Sequence, residues 1–189
     1  LFSSHPWTLI HVDGGCRRHG EARGTAGDEL QIDLRDAPRG EPLPIYLPRR
    51  QPLPNTEIFA DHLLEQSRRL ILGRSGLTAV LVNPPRMRQR LCSELAAEFG
   101  SRVTLESTAP ETNGVVCCSW GWWLSHQHLL PEPEQLIAGM LPIASREDPL
   151  TAARVESLKR QGRDWFRSLL LPEALAILIP AIASLRQSG

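Results

Sequence analysis

Apolar and polar positions along this chain follow two textures, and the change comes near residue 55. Before it, short apolar runs such as Trp7 to Val12, Glu29 to Leu34 and Leu43 to Leu47 are set apart by turn formers, among them Asp13-Gly14-Gly15. Such runs predict short strands, and the last, bounded by Pro42 and Pro48, suits an edge or a strand end because proline withholds a ladder donor. Residues 17–28 carry charges and glycines with little apolar content, so they predict an exposed, mobile loop.

From Asn55 onward helical and strand periods alternate, the pattern of a parallel sheet covered by crossover helices. Ile58, Phe59, Leu63, Leu64, Leu70 and Ile71 keep near-helical spacing behind Asn55 or Thr56 as cap, predicting a helix to Leu72 that Gly73 stops. Leu77 to Val82 is apolar at nearly every position, as a strand covered on both faces should be, and Pro85 to Phe99 reads as a helix closed by Gly100. Val103 to Glu106 and Val115 to Cys118 predict two short strands, and Gln135 to Leu141 a further buried one that joins Leu77 to Val82 at the centre. Asp148-Pro149 supplies a cap and first residue for a helix running to Gly162. Arg163 to Leu170 resumes helically, and Pro172 opens a last helix that Pro180 should break or kink.

At 189 residues the chain is the size of one domain able to bury a full core. Its 41% hydrophobic and 22% charged residues match soluble globular proteins rather than disordered or membrane chains. Lys plus Arg equal Asp plus Glu at 21 each, so no global field draws it to nucleic acid or acidic lipid and any such contact must be local. The longest apolar stretches fall far short of the ~20 residues that cross a bilayer, which predicts no membrane partner. Leu1 to Pro6 show neither a basic leader nor an initiator Met and read as a cut inside a longer polypeptide. Cys16, Cys92, Cys117 and Cys118 form no C-x-x-C pair. Adjacent residues of a strand point to opposite faces, so Cys117 and Cys118 predict buried free thiols in a reducing, cytoplasmic setting.

Candidate chemistry is local. Trp120, Trp122 and Trp123 offer rings that either stack on bases or pack where a strand meets a helix. Arg86, Arg88 and Arg90, and then Lys159, Arg160, Arg163 and Arg167, are basic clusters that read either as phosphate contacts or as solvated helix surface. His126 and His128 lack further ligands at metal spacing, which predicts no metal site. The serines lack a G-x-S-x-G elbow and a strand-to-helix turn built around one of them, which argues against a hydrolase triad.

Beyond residue 43 the chain resembles the second motor domain of DinG/XPD-type ATP-dependent DNA helicases. Ala79-Val80-Leu81-Val82-Asn83-Pro84-Pro85-Arg86-Met87 is similar to that family's motif IV. Gln135 to Ile143 with Asp148-Pro149-Leu150 resembles the stretch after motif V, and Leu158-Lys159-Arg160-Gln161-Gly162-Arg163-Asp164-Trp165-Phe166 with Leu171-Pro172-Glu173-Ala174 the run that introduces motif VI.

The resemblance implies an α/β fold of RecA-like (P-loop NTPase helicase) type, a mostly parallel sheet flanked by helices, over residues 51–189, with residues 1–50 leading into it. It implies single-stranded DNA as a partner through Asn83, Arg86, Trp122, Trp123 and Arg163. The N-terminal motor domain of the same polypeptide is the other implied partner. ATP and Mg are implied only in company with that first motor domain, since the chain holds no G-x-x-x-x-G-K-[ST].

The departures bear on activity. Both motif V carboxylates are missing, because Trp122-Trp123 is followed by Leu124-Ser125-His126-Gln127. Where motif VI places Gln and two Arg, this chain has Pro180, Ala183-Ser184 and Gln187, which leaves Arg186 as the candidate nucleotide contact. An arginine finger acts by setting a fixed guanidinium against charge on the γ-phosphate, and serine brings none. The chain alone is therefore expected not to hydrolyse ATP, and a degenerate, noncatalytic scaffold or nucleic-acid-binding module is the alternative.

Overall fold

The computed structural model describes residues 43–54 and 56–186. The expected strands at Trp7 to Val12 and Glu29 to Leu34, the loop at 17–28, Cys16, and Asn55 as a cap lie outside the described residues.

Helix α1 (Ile58–Leu72) leads to β1 (Leu77–Leu81), α2 (Pro85–Phe99), β2 (Val103–Leu105), β3 (Val115–Cys118), α3 (Trp120–His126), β4 (Pro133–Ala138), α4 (Pro149–Arg160), a π-helical turn (Phe166–Leu170) and α5 (Leu171–Ala181). Among the described residues the four strands stand in the order β2-β3-β1-β4 and every pairing is parallel. Parallel pairing requires long crossovers, which is why helices cover both faces.

Side-chain alternation on the strands divides the core in two. Val80, Val82, Val115, Cys117 and Ile137 pack with Phe59, Leu63, Leu64 and Ile71 of α1 and Leu91 and Leu95 of α2. On the opposite face Leu77, Ala79, Leu81, Val116 and Cys118 pack with Trp120 and Trp123 of α3 and Ala181 of α5. Cys117 and Cys118 thus lie in different cores, both buried and free of disulfides, as strand alternation requires. A third cluster, Val155, Leu169 and Leu170, fastens α4 to the π turn.

Several boundaries differ from the sequence reading. Leu43 to Leu47 forms no strand, and Ile45, Tyr46 and Leu47 are exposed, because Pro44 and Pro48 remove ladder donors and no described strand lies alongside. Thr56 does not cap α1: its hydroxyl donates to Leu53 O at 2.6 Å and closes a turn that precedes the helix. The strand expected at Gln135 to Leu141 starts earlier, stops at Ala138 and is an edge, not a central strand. Between Arg163 and Leu170 the ordered turn is a π-helix from Phe166. Pro180 neither breaks nor kinks the middle of α5 but stands one residue before its end. The Asp148 cap is present, its carboxylate accepting from Thr151 N–H at 2.8 Å. No helix among the described residues is long and apolar enough to cross a membrane.

Candidate polar site at the carboxyl edge of the sheet

Because all the strands run one way, the residues that follow them gather on a single edge, where open α/β sheets hold their ligands. Here β1 runs out through Val82 to Asn83 before α2 begins at Pro85. In the first turn of α2 the Arg88 guanidinium donates to Val82 O at 3.0 Å and Asn83 O at 2.8 Å. Its Nε lies 3.4 Å from Glu106 Oε1, and the side chain is only 13% exposed. A charge so enclosed needs both a counter-charge and acceptors, and the strand end supplies both.

Glu106 follows β2 with φ of 47°, a left-handed conformation that costs a non-glycine residue about 1 kcal/mol or more. That turn aims its carboxylate across the end of β3, where it accepts from Ser119 N–H at 3.1 Å and Ser119 Oγ–H at 3.0 Å. Ser119 in turn caps α3, its Oγ accepting from Trp122 N–H at 3.3 Å. Asn83 Oδ1 accepts from Trp120 N–H at 3.2 Å, and Trp120 Nε1–H donates to Met140 O at 2.9 Å. Gly139 N–H closes the last seam onto Leu81 O at 2.9 Å. All four strand ends are therefore stitched together by polar contacts.

At this edge the described polar side chains hold one another in place. Ser119 does occupy a strand-to-helix turn, contrary to the sequence reading, but its φ of −82° is relaxed and its hydroxyl is used as cap and donor. Burial, and after it the Glu106 charge, pushes the Cys118 thiol up to about 12, so it stays protonated. Among the described residues no group of three His, Cys, Asp or Glu could hold a metal. Among the described residues Glu106 is the carboxylate at this cluster, it is engaged by Arg88 and Ser119, and no glycine-rich cradle stands beside it, so this donor set does not fit Mg–ATP.

The fold brings Asn83, Arg86 and Trp122 to this edge. Arg86 is exposed in the first turn of α2, whose start has no side-chain cap. Arg90 is taken up by Asp61 at 2.6 Å and Glu94 at 2.8 Å, and Arg88 by the strand ends, which leaves Arg86 of that trio without an ionic partner among the described residues. Trp122 is half-buried and stacks on His126, ring centroids 4.6 Å apart. Trp123 is a correction: it is 0% exposed and its Nε1–H donates to Ala181 O at 2.9 Å, so its ring cannot reach a base.

Arg163 is exposed beyond Gly162, and among the described residues no hydrogen bond or ion pair joins it to the edge. Its neighbours Lys159 and Arg167 are paired with Glu156 and Asp164. Arg186 ends the short turn Ser184–Arg186 beside β4.

Sequence reasoning missed Arg88, Glu106 and Ser119 as a unit. The available signal was positional, since each ends or follows a predicted parallel strand and must lie on the same edge. Compared with protein-family models, curated proteins and solved structures, the chain matches none.

Proposed function

We propose that this chain is a helicase-type second motor domain that touches single-stranded DNA along the carboxyl edge of its sheet. The observation that carries this reading is the placement of Asn83, exposed Arg86 and half-buried Trp122 on one edge, over the braced Arg88–Glu106–Ser119 cluster. A cation without an ionic partner among the described residues and a half-buried indole on the same edge support backbone contact plus base stacking, at ~1–3 kcal/mol per stacked base. ATP and Mg belong, in this reading, to the first motor domain of the same polypeptide, and Arg186 is the residue offered to the nucleotide on closure.

A fluorescent oligonucleotide titrated at two ionic strengths tests this. Arg86→Ala should flatten the salt slope by about one unit and Trp122→Ala should weaken binding at both salts, while Arg163→Ala tells whether the contact extends beyond the edge. Absence of binding by the wild type at low salt would overturn the DNA contact.

A noncatalytic scaffold is the second reading, favoured by one observation. Leu171, Leu175 and Ile179 recur every fourth residue on α5 and remain exposed, just ahead of the positions where the motif VI cations are missing. In this case the oligonucleotide titration is silent and Leu175→Glu leaves the fold intact while abolishing partner capture by the parent polypeptide.

A further inference from the structure

We propose that Cys92 and Cys117 are a redox-active pair, closing a reversible disulfide that ties α2 to β3 when the protein meets a hydroperoxide. Helical spacing places Cys92 on the sheet-facing side of α2, next to buried Leu91 and Leu95, with Ala96 and Phe99 packed on the same core. Strand alternation places Cys117 in that core as well and sends Cys118 into the one beyond the sheet. Cys117 is therefore the cysteine on the sheet that shares a core with Cys92, and both are free.

Their exposures differ in the way a two-step oxidation needs. Cys92 is half-buried and open to a small oxidant, whereas Cys117 is 0% exposed. The Cys117 thiol donates a hydrogen bond that lowers the Cys92 thiol to about 7, while that same contact, and then burial, raises Cys117. Cys92 is thus the first to ionise, and the thiolate is the nucleophile.

In the first step the Cys92 thiolate attacks the distal peroxide oxygen. The O–O bond breaks and the alkoxide or hydroxide leaves with the proton that Cys92 gave up. In the second, Cys117 sulfur attacks the Cys92 sulfenic sulfur, the S–O bond breaks, and hydroxide departs as water with the Cys117 proton. Two thiols and one hydroperoxide give one disulfide, one alcohol or water, and one further water. Thiol reductants reverse the bond, so a reducing compartment keeps it transient.

The bond requires sulfur atoms ~2.05 Å apart and would tie α2 covalently to β3. Arg88 lies one turn before Cys92 and already anchors α2 to the ends of β1 and β2, so the disulfide would add a second anchor to the same helix.

The test treats the reduced full chain with one equivalent of hydrogen peroxide and maps it without reductant. The expected product has lost two hydrogen atoms, links the peptides carrying Cys92 and Cys117 within one chain, and returns to the dithiol with dithiothreitol. Cys118→Ala should link at wild-type level, whereas Cys92→Ser should not link. In Cys117→Ala the sulfenic acid should persist at Cys92 and be captured by dimedone. Linkage through Cys16 or Cys118, linkage between chains, or oxidation of Cys92 in the wild type without any link would each overturn the pairing. Mapping the wild type and Cys118→Ala decides the matter even where Cys117→Ala does not fold.

Discussion

Glu106 and Ser119 meet across the ends of β2 and β3, one carboxylate oxygen accepting both the Ser119 amide at 3.1 Å and its hydroxyl at 3.0 Å. That oxygen also faces Arg88, so the left-handed turn at Glu106 is offset by three polar contacts to one atom. Glu106→Ala leaves Arg88 enclosed without its counter-charge and the Ser119 amide without an acceptor, which should cost ~1–3 kcal/mol. Glu106→Gln also removes the counter-charge of Arg88 but keeps an acceptor for Ser119, so it should cost less than Glu106→Ala. Urea unfolding of both variants checks this ordering, and equal losses would show that the charge, not the acceptor, is what matters.

Gly139 follows β4 at a close approach. A Cβ there would stand 2.8 Å from Val82 Cγ2, 2.9 Å from Leu63 Cδ2 and 3.2 Å from Leu81 O. Two of these atoms belong to the packed core and the third to the strand backbone, so the space cannot open freely. Gly139→Ala should destabilise by ~1–3 kcal/mol. Gly121, inside α3, has nothing within 4 Å of its ideal Cβ, and Gly121→Ala should stabilise by ~0.5–1 kcal/mol through helix propensity. Thermal melts of the two should move in opposite directions.

Much of this fold was legible because burial imprints itself on sequence. The run of β1 is buried at every residue, and Pro85 to Phe99 is a helix with the bounds its pattern predicts. Edge against centre was not legible, since hydrophobicity does not encode strand order. In β4 the half-buried Gln135 donates to Leu70 O at 3.1 Å and Thr78 Oγ1 at 2.9 Å, a polar residue made tolerable by partners far away in sequence. The candidate site was half legible. Asn83, Arg86 and Trp122 were named in sequence through the resemblance, and the structure adds only that they share an edge, whereas Arg88, Glu106 and Ser119 are joined only by the parallel order of strands.

Asp148 should titrate low. Its carboxylate accepts the Thr151 backbone N–H and then a side-chain hydrogen bond from Thr151, which holds it below the ordinary 3.8. A depressed folded value means that the cap stabilises α4 fully above the unfolded value and is lost as pH falls through the folded one. Carboxyl-carbon NMR should therefore show a midpoint under 3.8, with the Thr151 amide shifting in step. Asp148→Asn, which still caps, should remove this titration while keeping α4 formed. A midpoint at or above the ordinary value would mean that the cap is not held in solution.

Trp122 and Trp123 are adjacent, yet the fold gives them separate work. Trp123 is 0% exposed and its indole N–H satisfies Ala181 O, the carbonyl that ends α5. Removing it opens a large cavity and leaves that carbonyl unpaired, so Trp123→Ala should cost ~3–5 kcal/mol. Trp123→Phe refills most of the cavity but not the hydrogen bond, at ~1–3 kcal/mol. Trp122 is half-buried, packed against the core on its face of the sheet and stacked on His126, so Trp122→Ala should cost about 1–2 kcal/mol. The contrast extends to nucleic acid, because stacking needs a ring that a base can reach. Under conditions where both variants are folded, Trp122→Ala should weaken oligonucleotide binding and Trp123→Phe should leave it unchanged. Paired denaturation and titration of these variants separates a core role from a contact role, and weakened binding in Trp123→Phe alone would refute the assignment of Trp122 to the DNA-facing edge.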